Sequence, residues 1–153
     1  MSQDVKIMPD KYGIFDLEIE NGDFSSVIGL ETTIATDLFS DRRADESLVP
    51  SPIFRRGFLG DIFRASIGRK LGSQLWTLDQ GRLTDATLNR AELYAIEALQ
   101  YLIEDEIAQS IDVQLSRSAR GVTIAVTITN FAGNSVQYDF LWRNTDVANI
   151  SNR

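Results

Sequence analysis

The sequence predicts an α+β fold, and three observations carry that prediction. An apolar stripe of helical period runs from Thr84 to about Gln109, three segments alternating apolar and polar residues follow it, and one alternating segment lies near the start. Helical and strand periods segregated along a chain indicate helices packed on one face of an antiparallel sheet. At 153 residues with 43% hydrophobic content, the chain is the length of a single domain, 1–153, with enough apolar side chains for a core.

The first element is a strand over Ile14 to Glu20, where Phe15, Leu17 and Ile19 alternate with Asp16, Glu18 and Glu20. Asn21-Gly22-Asp23 turns the chain, and Leu30, Ile34 and Leu38 then recur at helical spacing, predicting a helix to Phe39. A short helix or turn follows at Ser73 to Leu78, anchored by Trp76 and Leu78 and stopped near Gly81. Thr84 is an N-cap residue with Asp85 in the first turn, and it opens the strongest element. Its stripe is Leu88, Ala91, Ala95, Ile96, Leu99, Leu102, Ile103 and Ile107. About 26 residues at 1.5 Å each predict a single amphipathic helix of roughly 39 Å.

Three strands end the fold. Ile111, Val113 and Leu115 share one face, then Val122, Ile124, Val126 and Ile128, then Val136, Tyr138, Phe140 and Trp142. Turns at Ser116 to Gly121 and Asn130 to Ser135 make an antiparallel meander the economical connection, with the early strand a candidate to join its edge. Residues 144–153 are polar and predicted to form a flexible tail.

Composition excludes much chemistry. The chain has no cysteine and no histidine, which removes disulfides, thiolate and Ser-His-Asp catalysis, and most transition-metal sites, so no cofactor and no enzyme activity are expected. A net charge of −7 argues against nucleic acid, and no apolar run approaches a membrane span. The charge is segregated, however. Residues 1–31 carry two basic against seven acidic residues, leaving −5, whereas 42–70 carry seven basic against three acidic, leaving +4.

That basic segment fits neither a helical nor a strand period. It runs through Arg42-Arg43, Pro50, Pro52 and Phe54-Arg55-Arg56-Gly57-Phe58-Leu59-Gly60-Asp61 to Lys70. Arginine and aromatic residues together are the chemistry of interface cores. The expected partner-binding residues are Arg42, Arg43, Arg55, Arg56, Phe58, Leu59, Asp61 and Trp142. Phe58 and Leu59 stand between glycines as a presented tip, and Trp142 closes the last strand. For the arginines two readings stay open: carboxylates on neighbouring chains, or Asp41, Asp45, Glu46 and Asp61 within this one. Phe54, Ile62 and Phe63 are either part of an exposed hot spot or a lid on the core.

Five stretches, taken in order, resemble the Mu-like phage baseplate protein family: Gly29-Leu30-Glu31-Thr32; Leu38 to Asp45; Arg55-Arg56-Gly57-Phe58-Leu59-Gly60-Asp61; Gly72-Ser73-Gln74-Leu75-Trp76; and Ala91-Glu92 through Glu97 to Leu102. The family is similar in turn to the T-even baseplate wedge protein that starts sheath polymerisation. What the resemblance implies is a structural part of a contractile tail, from a phage or a phage-derived particle. It would assemble in the host cytoplasm and sit in a six-fold baseplate, held by other wedge proteins, the sheath, and the inner tube or hub. Where the sheath-initiator group carries Glu-Pro-Arg at the end of its long helix, this chain has Glu104-Asp105-Glu106. The resemblance also brings an alternative, a lysozyme-like cell-wall hydrolase using paired carboxylates. Such a pair must converge about 5 to 9.5 Å apart. Glu92 and Glu97 lie about 140° apart around a helix, and adjacent Glu104, Asp105 and Glu106 diverge.

Overall fold

A computed structural model describes residues 3–5, 7–9, 15–17, 19–20, 23–24, 26–28, 30–57, 61 and 70–143. The chain forms two compact units, Met1–Thr36 and Asp37–Arg153. The architecture is α+β.

Among the described residues, the first unit holds six short strands paired in a nested antiparallel order. β1 (Gln3–Val5) pairs with β6 (Ser26–Ile28), β2 (Ile7–Pro9) with β3 (Phe15–Leu17), and β4 (Ile19–Glu20) with β5 (Asp23–Phe24). The strand predicted over Ile14 to Glu20 is therefore two strands with separate partners. Neither joins the C-terminal sheet, which among the described residues contains only β7, β8 and β9. Alternation marks a half-buried strand but carries no information about which strand it pairs with. α1 (Glu31–Phe39) follows with Ile34 and Leu38 buried, as their spacing predicts, and it crosses from the first unit into the second.

The second unit packs one helix on a three-stranded meander. α2 (Asp85–Leu99) starts at Thr84, whose hydroxyl accepts the Thr87 N–H at 3.2 Å. Its inner face is Ala91, Ala95, Ala98 and Leu99, and it packs against β7 (Ser110–Ser118). Arg117 of β7 ties the two together, donating to Asp85 at 2.8 Å and to the Leu83 carbonyl at 3.0 Å.

The long helix is shorter than predicted. After Gln100 a single further turn, α3 (Tyr101–Glu104), ends where Glu106 takes a left-handed φ of 57° and the Leu102 carbonyl accepts from both Ile107 and Ala108. Three consecutive carboxylates at a helix C-terminus oppose the macrodipole, a stop signal that the apolar stripe concealed. Of that stripe, Ile96 and Ile107 are exposed, while Ala98 and Ala108 are buried in their place.

The sheet itself matches its pattern. β8 (Gly121–Thr129) is central, joined to β7 by a two-residue hairpin closed at Ser118↔Gly121 and to β9 (Ser135–Trp142) by the turn at 130–134. Val122, Ile124, Val126 and Ile128 are buried along one face, with Val113, Phe140 and Trp142 on the flanking strands. Phe39 at the end of α1 meets Phe140 edge-on, with centroids 6.1 Å apart. No helix among the described residues is long and apolar enough to cross a membrane.

Candidate functional site

Over its described residues, 42–57, 61 and 70, the arginine-rich segment is irregular but densely bonded. Its start is fixed by backbone pairing to the segment before α2. Asp41 bridges Ser73 in parallel, Arg42 N–H donates to the Ser73 carbonyl and Ser73 N–H to the Ser40 carbonyl, each at 2.9 Å. The Ser73 hydroxyl, almost wholly buried, donates to the Leu38 carbonyl. This approach requires glycine at 72. Its φ is +93°, and a Cβ there would stand 2.3 Å from the Ser40 oxygen.

Trp76 lies in the 3-10 turn Leu75–Leu78, whose Leu75 and Leu78 are buried. Its indole N–H donates to the Arg42 carbonyl at 2.8 Å. The Arg56 guanidinium covers the ring 4.7 Å from its centroid and bonds Asp41 at 2.9 Å. One arginine thus joins a ring and a carboxylate, with the cation–π contact adding to the ion pair.

The other guanidinium groups act mainly on carbonyls. Arg55 donates to Val49 O at 2.8 Å and Pro50 O at 2.7 Å, with Glu46 3.9 Å away. Arg43 donates to Arg56 O at 3.1 Å and Pro52 O at 3.5 Å. Arg42 reaches Glu97 of α2 at 3.2 Å and Lys70 O at 3.4 Å, while its Nε is buried with no hydrogen-bond partner among the described residues. Planar donor forks stand here in place of a strand ladder for a stretch rich in proline. The result holds the 3-10 turn Pro52–Phe54 outward, with Ile53 86% and Phe54 68% exposed.

Two acids beneath the loop have raised proton affinity. Burial lifts Asp37 to about 6, against the opposing pull of the Tyr101 hydroxyl, which donates to it at 2.5 Å, and of the Arg42 charge. Burial also raises Asp79, which accepts the Trp142 indole N–H at 2.9 Å; Asp41 adds to the rise and Arg56 opposes it. Both carboxyl groups are committed to donors within the chain. Of the carboxylates weighed for hydrolysis, Glu97 is taken by Arg42, and Glu104, Asp105 and Glu106 are exposed at the end of α3.

The predicted residues therefore occupy different settings. Arg42 and Arg55 have side chains only 15% and 16% exposed, Arg56 is half-exposed, and Arg43 is exposed. The in-chain pairing weighed from the sequence is present for Arg56 with Asp41 and for Arg55 with Glu46. Asp61 accepts the Leu71 N–H at 3.1 Å, and its other oxygen is buried without a partner among the described residues. Trp142 is buried in the sheet. Phe58, Leu59, Ile62, Phe63 and the tail at 144–153 lie outside the described residues.

Sequence reasoning passed over Ile53 and the Asp37–Tyr101 pair. The first was legible in Pro50-Ser51-Pro52, which excludes both helix and central strand and puts the next residues on a turn. The second was legible in Asp37 itself, an acid three residues after Ile34 on a buried helix face.

Comparison with known proteins covers the same region. A profile of the family described as Phage protein GP46 matches residues 30–135. The chain is 35% identical over 116 residues to Baseplate protein gp46 of Escherichia phage Mu, a stretch spanning 72% of this chain and 77% of that protein. It is 32% identical over 113 residues to Mu-like prophage FluMu protein gp46 of Haemophilus influenzae, covering 68% and 76% respectively.

Proposed function

The chain belongs to the phage protein GP46 family, and from that premise we propose that it is a structural wedge part of a contractile-tail baseplate that helps to initiate the sheath. The observation that carries the baseplate role is the 35% identity to Baseplate protein gp46 of Escherichia phage Mu, supported by the family match over residues 30–135. The role is positional, without turnover.

Two features support the wedge reading. Over residues 43–56 the arginine loop is bonded to itself, with Arg43 and Arg55 donating to its own carbonyls, and a preorganised segment loses less entropy on docking. Arg43, Arg56 and the apolar Ile53–Phe54 turn would face the neighbouring chain. Arg42, Arg55, Asp61 and Trp142 would hold that surface from within, and Phe58 and Leu59 would extend it. The second feature is β9, a strand of eight residues that stands at the edge of the three-stranded sheet among the described residues. An edge strand offers a ladder for strand addition by the first sheath ring. Other wedge proteins, the sheath and the tube or hub are the proposed partners. The setting is a six-fold assembly in the virion baseplate, built in the host cytoplasm.

The test is electron microscopy of particles produced when this gene carries an early stop codon, with the intact gene in trans as control. Heads without organised sheathed tails, restored by the intact gene, support the reading. Sheathed tails assembled in the protein's absence would sink it.

A further inference from the structure

The β8–β9 hairpin is built unlike the arginine loop. From Gly121 to Tyr138 there is no charged side chain, a run of 18 residues in a chain that is 24% charged. Among the described residues, its tip is organised by local bonds. The side-chain oxygen of Asn130 accepts the N–H groups of Ala132 and Asn134, each at 3.0 Å, and the Asn130 N–H donates to Asn134 O at 2.9 Å. The hydroxyls of Thr129 and Ser135 meet at 2.8 Å across the closing pair. An asparagine that satisfies two backbone donors this way fixes a turn without tertiary packing.

That fixed tip holds Phe131 in water, 64% exposed, and Val136 is 52% exposed one register step from the closing pair. An aromatic side chain on a preorganised turn has the properties of an interface anchor, since little rotamer or backbone freedom is lost when it docks. The charge carried by the hairpin itself decides what it docks into. A membrane-binding loop pairs its aromatics with lysine or arginine for the headgroups, and a nucleic-acid site needs cations; this tip has neither. A salt-bridged protein interface would need charges here as well.

We propose that Phe131 anchors a second docking point, in which the hairpin tip inserts into an uncharged apolar socket on a neighbouring baseplate protein. It acts independently of the arginine loop and rests on the baseplate reading only for where the neighbour is found.

The experiment adds purified full-length protein to tail-assembly extracts from cells whose phage carries an early stop codon in this gene, and counts sheathed tails by electron microscopy. Phe131→Ala should need roughly 30-fold more protein than the parent for half-maximal restoration, and Phe131→Asp more still. Asn130→Ala, which loosens the tip but keeps the ring, should fall between parent and Phe131→Ala. All three should melt close to the parent. The ratio of parent to Phe131→Ala should stay within about 2-fold as salt rises from about 0.05 to 0.4 M, because no charge is involved.

Restoration by Phe131→Asp equal to the parent overturns the proposal, as does a ratio that collapses in salt. Phe131-dependent flotation with phosphatidylcholine–phosphatidylglycerol vesicles assigns the tip to a membrane instead. Phe131-dependent dimerisation in sedimentation assigns it to a second copy. Failure of the parent protein to restore tails sinks the baseplate reading itself, an outcome distinct from all of these.

Discussion

The Tyr101 hydroxyl donates to a carboxylate oxygen of Asp37 at 2.5 Å, joining the turn after α2 to the end of α1 across 64 positions of sequence. Asp37 is 5% exposed, and burial raises its pKa from 3.8 to about 6 in the folded state. The folded state therefore binds the proton more tightly than the unfolded one. Its contribution to stability is fully present below about pH 4 and is lost as pH rises through about 6. At about 1.4 kcal/mol per pKa unit, the loss is on the order of 2 to 3 kcal/mol. Urea unfolding of the parent and Asp37→Asn between about pH 4 and 7 should show the parent losing ground against the variant over that window. A difference independent of pH would contradict the assignment.

Replacing Tyr101 with Phe removes a donor that stabilises the Asp37 carboxylate. The Asp37 pKa should rise further, measurable by NMR titration of its carboxyl carbon. Stability at neutral pH should fall by roughly 1 to 3 kcal/mol, the cost of a buried acceptor left without its partner.

On α2 the inner and outer faces should respond differently. Leu99 is fully buried and Leu93 is 65% exposed. Leu99→Ala should cost roughly 2 to 5 kcal/mol through lost transfer energy and the cavity left behind. Leu93→Ala should stay within about 0.5 kcal/mol of the parent in denaturant melts.

The glycines at 72 and 133 both have positive φ, but their surroundings differ. A Cβ at 72 would stand 2.3 Å from the Ser40 oxygen, whereas one at 133 meets nothing within 4 Å. Gly133→Ala should cost roughly 1 to 2 kcal/mol, the strain of the left-handed conformation alone. Gly72→Ala should cost clearly more, because the Asp41–Ser73 bridge must open to admit the methyl group. Thermal melts of the two variants side by side would show the order.

Among the arginines, the variant pair Arg42→Ala with Arg55→Ala removes side chains bonded to Lys70, Val49 and Pro50 carbonyls. It should lower the stability of the isolated chain by roughly 1 to 3 kcal/mol. The Glu97 ion pair adds little to that, because Glu97 is 59% exposed. Arg56→Ala loses an exposed ion pair and a cation–π contact, and should cost about 1 kcal/mol. An assembly defect of Arg56→Ala larger than its loss of stability would place that residue at an interface.

Period and local chemistry alone determined the α+β class, the cap at Thr84, the buried faces of β7 and β8 and the turn at Asn130. Each of these depends on residues within a few positions of one another: alternation sets which face of a strand is apolar, and a side-chain oxygen reaches the N–H groups two to four residues on. The sequence also showed that the arginine segment was unusual. Only the tertiary structure decided what its side chains touch. Arg42 meets Glu97 across 55 positions, and the carbonyls beside Pro50 and Pro52 become acceptors only once the loop has folded back on itself. The partner of the early strand was decided in the same way. β3 pairs with β2 and β4 with β5, partners that the sequence could not select, because alternation specifies a half-buried strand and backbone hydrogen bonds are identical for every candidate neighbour.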